Sequence, residues 1–411
     1  MKRTILHCDL NCFFASVEML YNPELRDVPM AIAGDKESRH GIILAKNVLA
    51  KKAGVKTAET IGDALKKCPN LVLRNADYET YEYFSEKVRD LYYEYTDRIE
   101  PFGIDECWLD ITESVPYFGS AQKIVDALLY RSRTEIGLTL SIGVSFNKIY
   151  AKLGSDLAKE DSYCKIDSLD DIRYLPASSL LGVGEKTGEH LKSYGIVTIG
   201  DIAAKTPDYL HSILGKFGYS LHRYACGLGN DHVEKVGTIK EEVKSISNSM
   251  TSSRDIYNMD DFKAILSIVC DSVAARLCRK GLFFKTVHLV VRNNKMKIRT
   301  MQTRLKENSD LSKEIFRQAL LLFERNCDFS IPYRSIGVAV SDLSYNKESV
   351  QTDLFDTNPS YSLKQKKEEL AIQEVRRRFG KDVIAPLRLY EDGNLSKVRN
   401  KNQTISERSK L

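Results

Sequence analysis

The stretch at residues 99–111 reads Ile99-Glu100-Pro101-Phe102-Gly103-Ile104-Asp105-Glu106-Cys107-Trp108-Leu109-Asp110-Ile111. Gly103 stands at its centre. Beyond Gly103, apolar and acidic residues alternate as they do in a half-buried strand. The stretch therefore predicts a β-hairpin that carries two adjacent carboxylates, Asp105 and Glu106.

A third carboxylate is predicted at the end of an upstream strand. Residues 1–9 contain a short apolar run that ends in Asp9, and residues 138–144 predict a further strand. A tyrosine-rich amphipathic helix within 77–100 and a helix near 120–136 complete the order strand, helix, hairpin, helix, strand, which is typical of a split βαβ sheet. In such a sheet the first strand can lie beside the hairpin, so that Asp9 faces the other two carboxylates.

Three carboxylates that share one site predict bound cations. They cannot all ionise cheaply unless positive charge lies among them, and Mg²⁺ prefers oxygen ligands of this kind. Two Mg²⁺ ions about 4 Å apart would stabilise the attacking and leaving oxygens of a phosphoryl displacement. This chemistry predicts a nucleotide substrate, and Lys51 and Lys159 are the candidate contacts for its triphosphate.

Two further regions are predicted to be helical. Residues 11–76 predict a small helical lobe inserted after the first strand, and residues 166–232 predict a compact helical unit with a glycine hairpin between two helices. Glycines there would let backbone N–H groups approach a phosphate. A plain helix–helix turn is the alternative interpretation. The candidate DNA contacts of this hairpin are Gly182, Gly184, Lys186 and Thr187.

A basic stretch lies beyond a polar linker predicted at 233–243. Between residues 276 and 306 there are ten Lys or Arg residues and no Asp or Glu. Two strands, 286–292 and 295–300, are predicted around a two-residue turn at 293–294. Strand periodicity would place Met296 and Ile298 on one face, and a solvated charge run is the alternative interpretation of the other face. The candidate phosphate contacts on that other face are Lys295, Lys297 and Arg299.

Length and composition are those of an ordinary folded, multidomain protein. The 411 residues exceed the usual size of one domain core, and 43% hydrophobic and 28% charged residues are typical of globular chains. The net charge of +5 is weak evidence for a polyanionic partner. No secretion signal, long apolar run or C-x-x-C pair is visible among the nine cysteines and their surroundings, which predicts a cytosolic protein with reduced thiols.

Three ordered motifs resemble those of Y-family DNA polymerases, especially the bacterial DNA polymerase IV and UmuC-like members. They are Asp9-Leu10-Asn11-Cys12-Phe13-Phe14-Ala15-Ser16-Val17-Glu18, then Ile104-Asp105-Glu106-Cys107-Trp108-Leu109-Asp110, then Ser145-Phe146-Asn147-Lys148-Ile149-Tyr150-Ala151-Lys152 with Ser155-Asp156-Leu157-Ala158-Lys159. Their order and spacing agree with the family over roughly the first 345 residues. The resemblance implies a DNA-directed DNA polymerase that copies damaged templates with low fidelity and without proofreading.

The resemblance also implies an α+β multidomain fold that is described as a right hand. The implied parts are a ferredoxin-like palm (1–10 and 77–165), small helical fingers (11–76), a helical thumb with a helix-hairpin-helix (166–232), a linker (233–243), an α/β little finger that binds DNA (244–345) and a tail (346–411).

Roles for individual residues follow from the same resemblance. Metal A would be held by Asp9, Asp105 and Glu106. Metal B would be held by Asp9, Asp105 and the backbone carbonyl of Leu10, and both ions would be Mg²⁺. Phe14 would be the steric gate that leaves no room for the 2′-hydroxyl of a ribonucleotide. The implied nucleotide contacts are Phe13, Phe14, Lys51 and Lys159.

A short motif in the tail, Gln351-Thr352-Asp353-Leu354-Phe355, resembles the pentapeptide that binds the sliding clamp. Gln351 would meet a polar rim, and Leu354 and Phe355 would fill an apolar pocket. Tethering would raise the effective concentration of the enzyme at the primer end. The implied partners of a monomeric enzyme are primer–template DNA, deoxynucleoside triphosphates and the clamp's beta subunit, with no membrane contact. The basic, helical-looking stretch 364–379 is interpreted as either a DNA contact or a partner helix.

Four positions depart from the family pattern and suggest a divergent subgroup. Val48 and Lys51 stand where many relatives have Tyr and Arg, Gly103 replaces Ser, and Glu160 replaces Pro. Lys51 keeps the positive charge but cannot form the paired hydrogen bonds of Arg. These departures leave a second hypothesis, a non-catalytic factor that binds DNA and the clamp. A nucleotide cyclase is a third, and the basic and glycine hairpins count against it.

Overall fold

The structure is a computed structural model that describes residues 3–34, 41–229, 232–237, 243–345, 359–379, 383, 384 and 387. Within these ranges the chain divides into two compact units, one that ends at residue 237 and one that begins at residue 243. No described helix is long and apolar enough to span a membrane. All nine cysteines carry free thiols, as predicted.

The first unit combines strands with many short helices. Its strands are β1 (Ile5–Leu10), β2 (Met30–Ala33), β3 (Ile43–Lys46), β4 (Val72–Asn75), β5 (Ile99–Pro101), β6 (Glu106–Asp110), β7 (Leu140–Ser145) and β8 (Ser162–Lys165). Its α-helices are α1 (Phe13–Tyr21), α2 (Val48–Lys52), α3 (Ile61–Lys67), α4 (Tyr78–Tyr93), α5 (Val115–Phe118), α6 (Ala121–Arg131), α7 (Lys148–Leu157), α8 (Glu185–Ser193), α9 (Ile199–Ala204), α10 (Pro207–Leu214) and α11 (Lys216–Ala225). A π-helical turn, Ser132–Ile136, extends α6.

A five-stranded sheet with the order β5-β6-β1-β7-β8 forms the centre of this unit. β1 is antiparallel to both neighbours, and Asp9 lies opposite Glu106 on β6 and opposite Ser141 on β7. Every residue of β1 except Asp9 is buried, as expected for a central strand. The predicted order of elements and the predicted position of β1 beside the hairpin are confirmed.

Helices cover both faces of the central sheet. α4 and α6 form an apolar layer on one face with Tyr81, Val88 and Leu128 in its core. α7 packs on the other face, and its close approach depends on Gly143. A Cβ atom on Gly143 would lie 1.8 Å from the carbonyl oxygen of Ala151 in α7. The missing side chain therefore lets α7 lie directly against the strands that carry the carboxylates.

Residues 11–76 are not wholly helical, which corrects the predicted small helical fingers. A three-stranded sheet with the order β3-β2-β4 lies among α1, α2 and α3, and β2 is antiparallel to β3 and parallel to β4. β2 is four residues long, and all four side chains are buried. So short an apolar run has no periodicity that distinguishes a buried strand from a buried helix.

Residues 166–232 contain α8 to α11, as predicted, and they share an apolar core with Ile149, Tyr150 and Leu153 of α7. Leu191, Ile199 and Leu221 are fully buried in it. The segment before the glycine hairpin is a 3₁₀ turn, Ala177–Ser179, and not a full helix.

The predicted linker at 233–243 begins with residues that pack against the first unit. Val233 is fully buried beside Trp108 and Ala151. The amide of Val236 donates a hydrogen bond to the carbonyl of Asp97 at 3.1 Å. Residues 233–236 of the predicted linker therefore pack against the first unit, and the linker itself stays a prediction.

The second unit is an antiparallel sheet with two helices on one face. The strands β9 (Ser245–Ile256), β10 (Phe284–Asn293), β11 (Ile298–Ser309) and β12 (Tyr333–Ser341) have the order β11-β10-β12-β9. The helices α12 (Met259–Lys280) and α13 (Ser312–Asn326) bury its core, in which Phe262 and Phe323 stack with ring centroids 3.9 Å apart.

The basic hairpin differs from its prediction at the turn. Residues 294–297 form a four-residue loop, because the side chain of Asn293 accepts a hydrogen bond from the amide of Lys297 at 2.9 Å and Met296 adopts a left-handed φ of 65°. β11 begins only at Ile298. The predicted apolar face is wrong, since Met296 and Ile298 are 55% and 56% exposed.

Part of the predicted tail is a helix that packs on the second unit. In α14 (Pro359–Phe379), the Glu369 carboxylate accepts hydrogen bonds from the amides of Ser312 (3.1 Å) and Lys313 (3.2 Å) in the first turn of α13. Arg376 forms an ion pair of 3.0 Å with Asp271 of α12. An acidic side chain at a helix N-terminus is favourable, so these contacts hold α14 to its own chain.

Candidate active site

Two neighbouring strands of the central sheet bring the predicted carboxylates together. Asp9 and Glu106 are directly opposed on β1 and β6, so both side chains point to the same side of the sheet. Asp105 immediately precedes β6, and its backbone carbonyl accepts a hydrogen bond from the amide of Leu10 at 3.1 Å. The sheet thus provides the proximity that the sequence predicted.

Burial makes ionisation of the Asp9 and Asp105 carboxyl groups costly. Burial, together with the hydrogen bond to Glu106 and the charge of Glu106, raises the pKa of Asp9 to about 8. Burial and the charge of Glu106 raise the pKa of Asp105 to about 6. Both shifts show that the site favours added positive charge.

The donor set fits Mg²⁺ by its chemistry. Carboxylates and a backbone carbonyl are the hard oxygen ligands that Mg²⁺ prefers, and a divalent ion would offset the cost of ionising Asp9 and Asp105. Among the described residues, no group of three or more His, Cys, Asp or Glu side chains is spaced as a finished set of metal ligands. An ammonium lies among the carboxylates: Lys152 Nζ is 2.8 Å from Glu106 Oε1 and 3.4 Å from Asp9 Oδ2.

A cleft of about 250 Å³ opens beside Asp9 and Asp105. It joins the carboxylates on the central sheet to residues of α1, β3 and α2. Most of the residues predicted to bind metal or nucleotide line this one cleft. Its wall is formed by Asp9, Leu10, Cys12, Phe13, Phe14, Leu44, Ala45, Lys46, Lys51, Thr57 and Asp105.

Phe14 is held at the cleft by its aromatic neighbours. α1 begins after Cys12, whose left-handed φ of 49° turns the chain from β1 into the helix. Phe13 is then buried, whereas Phe14 is half-buried and stacks on Tyr81 with ring centroids 4.3 Å apart. The Tyr81 hydroxyl donates to Glu18 at 2.8 Å, which fixes the ring beneath Phe14. Phe14 is therefore a rigid wall of the cleft.

Lys51 reaches the cleft from α2, and Asn47 orients that helix. The Asn47 side chain accepts from the amide of Ala50 at 2.9 Å and donates to the carbonyl of Val28 at 2.8 Å. Val48, the other departure from the family pattern in this helix, is 36% exposed and does not line the cleft.

Lys46 is a basic residue of the cleft that the sequence analysis missed. It lies on β3, and its Nζ donates to Thr57 Oγ1 at 2.9 Å. Burial lowers the pKa of Lys46, and the charge of Lys51 lowers it too. The sequence analysis did not identify Lys46, because residues 11–76 were interpreted as helical. Without a predicted strand β3, nothing placed Lys46 opposite the carboxylates.

Lys159 does not line the cleft, although it was predicted to contact the nucleotide with Lys51. Its side chain is exposed. Its backbone carbonyl accepts hydrogen bonds from Ser141 Oγ (3.2 Å) and Ser162 Oγ (2.7 Å), which fix the turn after α7. Glu106 is also absent from the wall of the cleft.

The glycine hairpin presents an open helix N-terminus. Gly182 has a φ of 89°, and Gly184 caps α8 without any side-chain hydrogen bond. Gly184 and Lys186 are exposed, and Thr187 lies in the same turn. Amides at a helix start are suited to a phosphate, and the predicted DNA contact of these residues stays a prediction.

The basic hairpin does not carry Lys295, Lys297 and Arg299 on one common face, contrary to the prediction. Lys295 and Lys297 lie in the loop, and both are exposed. Arg299 faces the helices instead, since it lies opposite the buried Val291 and donates to the carbonyl of Asn326 at the end of α13. The proposed common face of these three residues is wrong, because the four-residue loop separates the first two from the strand.

The helix-free face of the second sheet was missed as a candidate interface. On β9 every second residue is small and hydroxylated and points away from the core: Ser245, Ser247, Ser249 and Thr251. Gly337 and Ala339 continue this surface on β12, opposite Ser249 and Ser247. The alternation of serine and apolar or amide residues along 245–251 is the sequence signal for this face.

Comparisons with known proteins add independent support. Residues 8–156 match the model of the impB/mucB/samB family, and residues 243–354 match the C-terminal domain of the same family. A DNA polymerase IV of Acetivibrio thermocellus is 40% identical over 404 residues, which cover 97% of this chain and 100% of that protein. The chain belongs to the Y-family of DNA polymerases. The predicted family is confirmed.

Other relatives of this Y-family polymerase match over nearly their whole length. A DNA polymerase IV of Alkaliphilus oremlandii is 32% identical over 94% of this chain and 98% of that protein. DNA polymerase IV 1 of Bacillus subtilis is 32% identical over 93% of this chain and 92% of that protein. A solved Y-family DNA polymerase chimera has a TM-score of 0.72 at 22% identity and covers 84% of this chain and 100% of that one. The α+β multidomain fold is confirmed, and the chain is a DNA-directed DNA polymerase.

Proposed function

We propose that this polymerase performs low-fidelity synthesis across damaged DNA, without proofreading, at the cleft beside Asp9 and Asp105. The observation that carries the proposal is the convergence of two carboxylates, an aromatic wall and two lysines on one cleft of about 250 Å³. The reaction is templated addition of a deoxynucleotide to a primer 3′-hydroxyl, with release of pyrophosphate.

The carboxylates would hold two Mg²⁺ ions. Asp9, Asp105 and Glu106 would hold the ion next to the primer, and Asp9, Asp105 and the Leu10 carbonyl would hold the ion next to the triphosphate. When bound, the ions would lower the pKa of the primer 3′-hydroxyl and offset the charge that develops on pyrophosphate. The raised pKa values of Asp9 and Asp105 support this role, because both groups gain from a nearby cation.

The remaining cleft residues would bind and select the nucleotide. Lys46 and Lys51 would face the triphosphate, where positive charge stabilises the transition state electrostatically. Phe14, supported by Tyr81, would exclude a 2′-hydroxyl sterically. Lys159 would approach the triphosphate from the turn after α7, outside the present cleft wall.

DNA would be held by several parts of the chain. We assign the palm to the central sheet, the fingers to residues 11–76, the thumb to 166–232 and the little finger to the second unit with α14. The proposed contacts are the open N-terminus at Gly184, the loop with Lys295 and Lys297, and the hydroxyl-rich sheet face around Ser249. Small side chains on that face would let the backbone approach phosphates closely.

Recruitment by the sliding clamp is proposed from the motif Gln351-Thr352-Asp353-Leu354-Phe355 alone. Its residues lie outside the described part of the chain. A clamp-stimulated primer extension assay with Leu354→Ala and Phe355→Ala tests it. Loss of stimulation with unchanged extension in the absence of the clamp is the expected result.

Primer extension tests the proposed function. The full chain should extend primers on an undamaged template and past an abasic site in Mg²⁺, and the variant with Asp105→Ala and Glu106→Ala should do neither. Asp110→Asn is the matched control, since Asp110 lies on β6 but hydrogen-bonds Thr112 away from the cleft. DNA binding without extension by the wild-type chain would favour the non-catalytic alternative.

A further inference from the structure

Lys152 is the one described side chain whose ammonium contacts both Asp9 and Glu106. It lies on α7, and its Nζ is 2.8 Å from Glu106 Oε1, 3.4 Å from Asp9 Oδ2 and 2.9 Å from Asp156 Oδ1. The Lys152 side chain is only 12% exposed. Neither the sequence motifs nor the cleft wall gave it a role.

The position of Lys152 follows from the packing of α7. Gly143 lets the helix lie against the sheet, as described above, and the helical repeat then directs residues 148, 152 and 155 toward the strands. Lys148 forms an ion pair with Glu100, and Ser155 Oγ is 2.8 Å from Nδ1 of the buried His7. Lys152 lies between Lys148 and Ser155 along α7, and its ammonium contacts the carboxylates of Asp9 and Glu106. Among the residues that the structure describes, its charge is the nearest positive charge to Glu106.

We propose that Lys152 is a placeholder counterion, which holds Asp9 and Glu106 together without metal and withdraws toward Asp156 when divalent ions bind. The inference rests on the proposed metal site. It assigns Lys152 a positioning role: it keeps the carboxylates assembled before the metal arrives, and it sets how tightly the metal binds.

Competition for the same oxygen atoms supports this inference. A bound Mg²⁺ needs carboxylate oxygens at about 2.0–2.1 Å, and the ammonium already takes one oxygen of Glu106 and approaches one of Asp9. Two cations so close together repel each other strongly in a partly buried site. The ammonium of Lys152 must therefore move away from these oxygen atoms when metal binds. If it stays, it weakens metal binding.

Asp156 provides the place to which the ammonium can move. It lies one turn after Lys152 on the same helix, and its side chain is 49% exposed. The ammonium can therefore give up Asp9 and Glu106 and remain paired with Asp156 at the solvent side. A lysine side chain is long and flexible enough for this shift, in contrast to the planar, rigid group of arginine.

Divalent-ion binding to the full chain, without DNA or nucleotide, tests the inference. Fluorescence of Trp108, the single tryptophan, reports on β6 two residues from Glu106, and Mn²⁺ binding measured by electron paramagnetic resonance provides a second readout. We expect Lys152→Met to tighten Mg²⁺ and Mn²⁺ binding about tenfold, because it removes a competing charge. Lys148→Met, which removes an ion pair on the same helix, should leave the affinity unchanged.

Asp156 gives a second, coupled prediction. Asp156→Asn should weaken metal binding in the wild-type background, because the ammonium loses its alternative partner. In the Lys152→Met background the same change should have little effect, which separates withdrawal of Lys152 from a simple long-range charge effect. Lys152→Gln replaces Lys152→Met if the latter does not fold.

Three results have distinct meanings. Unchanged or weaker metal binding by Lys152→Met and Lys152→Gln overturns the placeholder role. Equal effects of Asp156→Asn in both backgrounds overturn the withdrawal toward Asp156. A wild-type chain whose divalent binding does not depend on Asp9 and Glu106 overturns the proposed metal site itself, and the placeholder role with it.

Discussion

Replacing Asp9 with Asn should stabilise the metal-free protein at alkaline pH while it abolishes synthesis. The fold raises the pKa of Asp9 from 3.8 to about 8, mainly because the carboxylate is buried. One pKa unit corresponds to about 1.4 kcal/mol, so the cost of ionising Asp9 has a ceiling of about 5–6 kcal/mol. The side chain keeps 26% of its surface exposed and Lys152 offsets part of the repulsion, so we expect a net gain of about 2–3 kcal/mol.

The size of this stabilisation depends on pH. Between about pH 4 and pH 8 the unfolded chain has ionised Asp9, whereas the folded protein keeps it protonated. The folded state therefore binds more protons, and the free energy of unfolding of the wild type falls as the pH rises through this window. Asp9→Asn cannot titrate, so its free energy of unfolding should fall less. Below about pH 4 the two proteins should differ little.

Urea unfolding in EDTA, followed by Trp108 fluorescence, measures this difference. Trp108 is buried on β6, so its signal reports on the first unit. Measurements at about pH 5 and about pH 8 should show that the variant's free energy of unfolding exceeds that of the wild type, and that this gap widens with pH. Added Mg²⁺ should stabilise the wild type and narrow the gap. A variant that is less stable than wild type at the higher pH, or a difference in the free energy of unfolding that does not change with pH, contradicts a raised pKa of Asp9 in the folded protein.

Three further predictions concern the cleft, the core and the second unit. Phe14→Ala should raise ribonucleotide incorporation relative to deoxynucleotide incorporation by at least about 10-fold in single-nucleotide kinetics, because the wall at the sugar is removed; an unchanged ratio would exclude Phe14 as the gate. Gly143→Ala should destabilise the first unit by about 3 kcal/mol in the same unfolding assay, since its Cβ would overlap the Ala151 carbonyl at 1.8 Å; a neutral change contradicts the packing of α7. Ser249→Glu should weaken DNA binding about 3- to 10-fold at low salt and less at high salt, as measured by fluorescence anisotropy, whereas Arg299→Ala should not weaken it. Weaker DNA binding by Arg299→Ala with unchanged binding by Ser249→Glu would instead favour the basic hairpin as the interface.

Local motifs made the catalytic part of this chain predictable from its sequence. The hairpin with Asp105 and Glu106 is specified by residues close together in the chain. Predicting the position of Asp9 required only one long-range contact, the pairing of β1 with that hairpin. The order of elements allows few other arrangements. Phe14 and Lys51 could be placed in the same cleft through the family resemblance, although their contacts with Tyr81 and Asn47 could not.

The errors occurred where short segments or distant partners decide the structure. β2 is too short and too buried to show a periodicity, so Lys46 on the adjacent β3 had no predicted place. With Met296 in the left-handed region, the turn is longer than the two-residue turn predicted at the two asparagines, and Arg299 lies on the helix side. Lys152 was part of a quoted motif, but its role depends on Asp9, 143 positions away in the chain.

Single-turnover incorporation of one deoxynucleotide, with Mg²⁺ and saturating DNA, measures whether the carboxylates of this site act in the chemical step. We expect Glu106→Gln and Asp9→Asn each to lower the rate of the chemical step by at least about 100-fold, because each removes a proposed metal ligand that acts on the reacting oxygens. Asp110→Asn, a carboxylate on the same strand as Glu106, should keep the wild-type rate. Near-wild-type chemistry in Asp9→Asn or Glu106→Gln would contradict the assignment of the active site to this cleft.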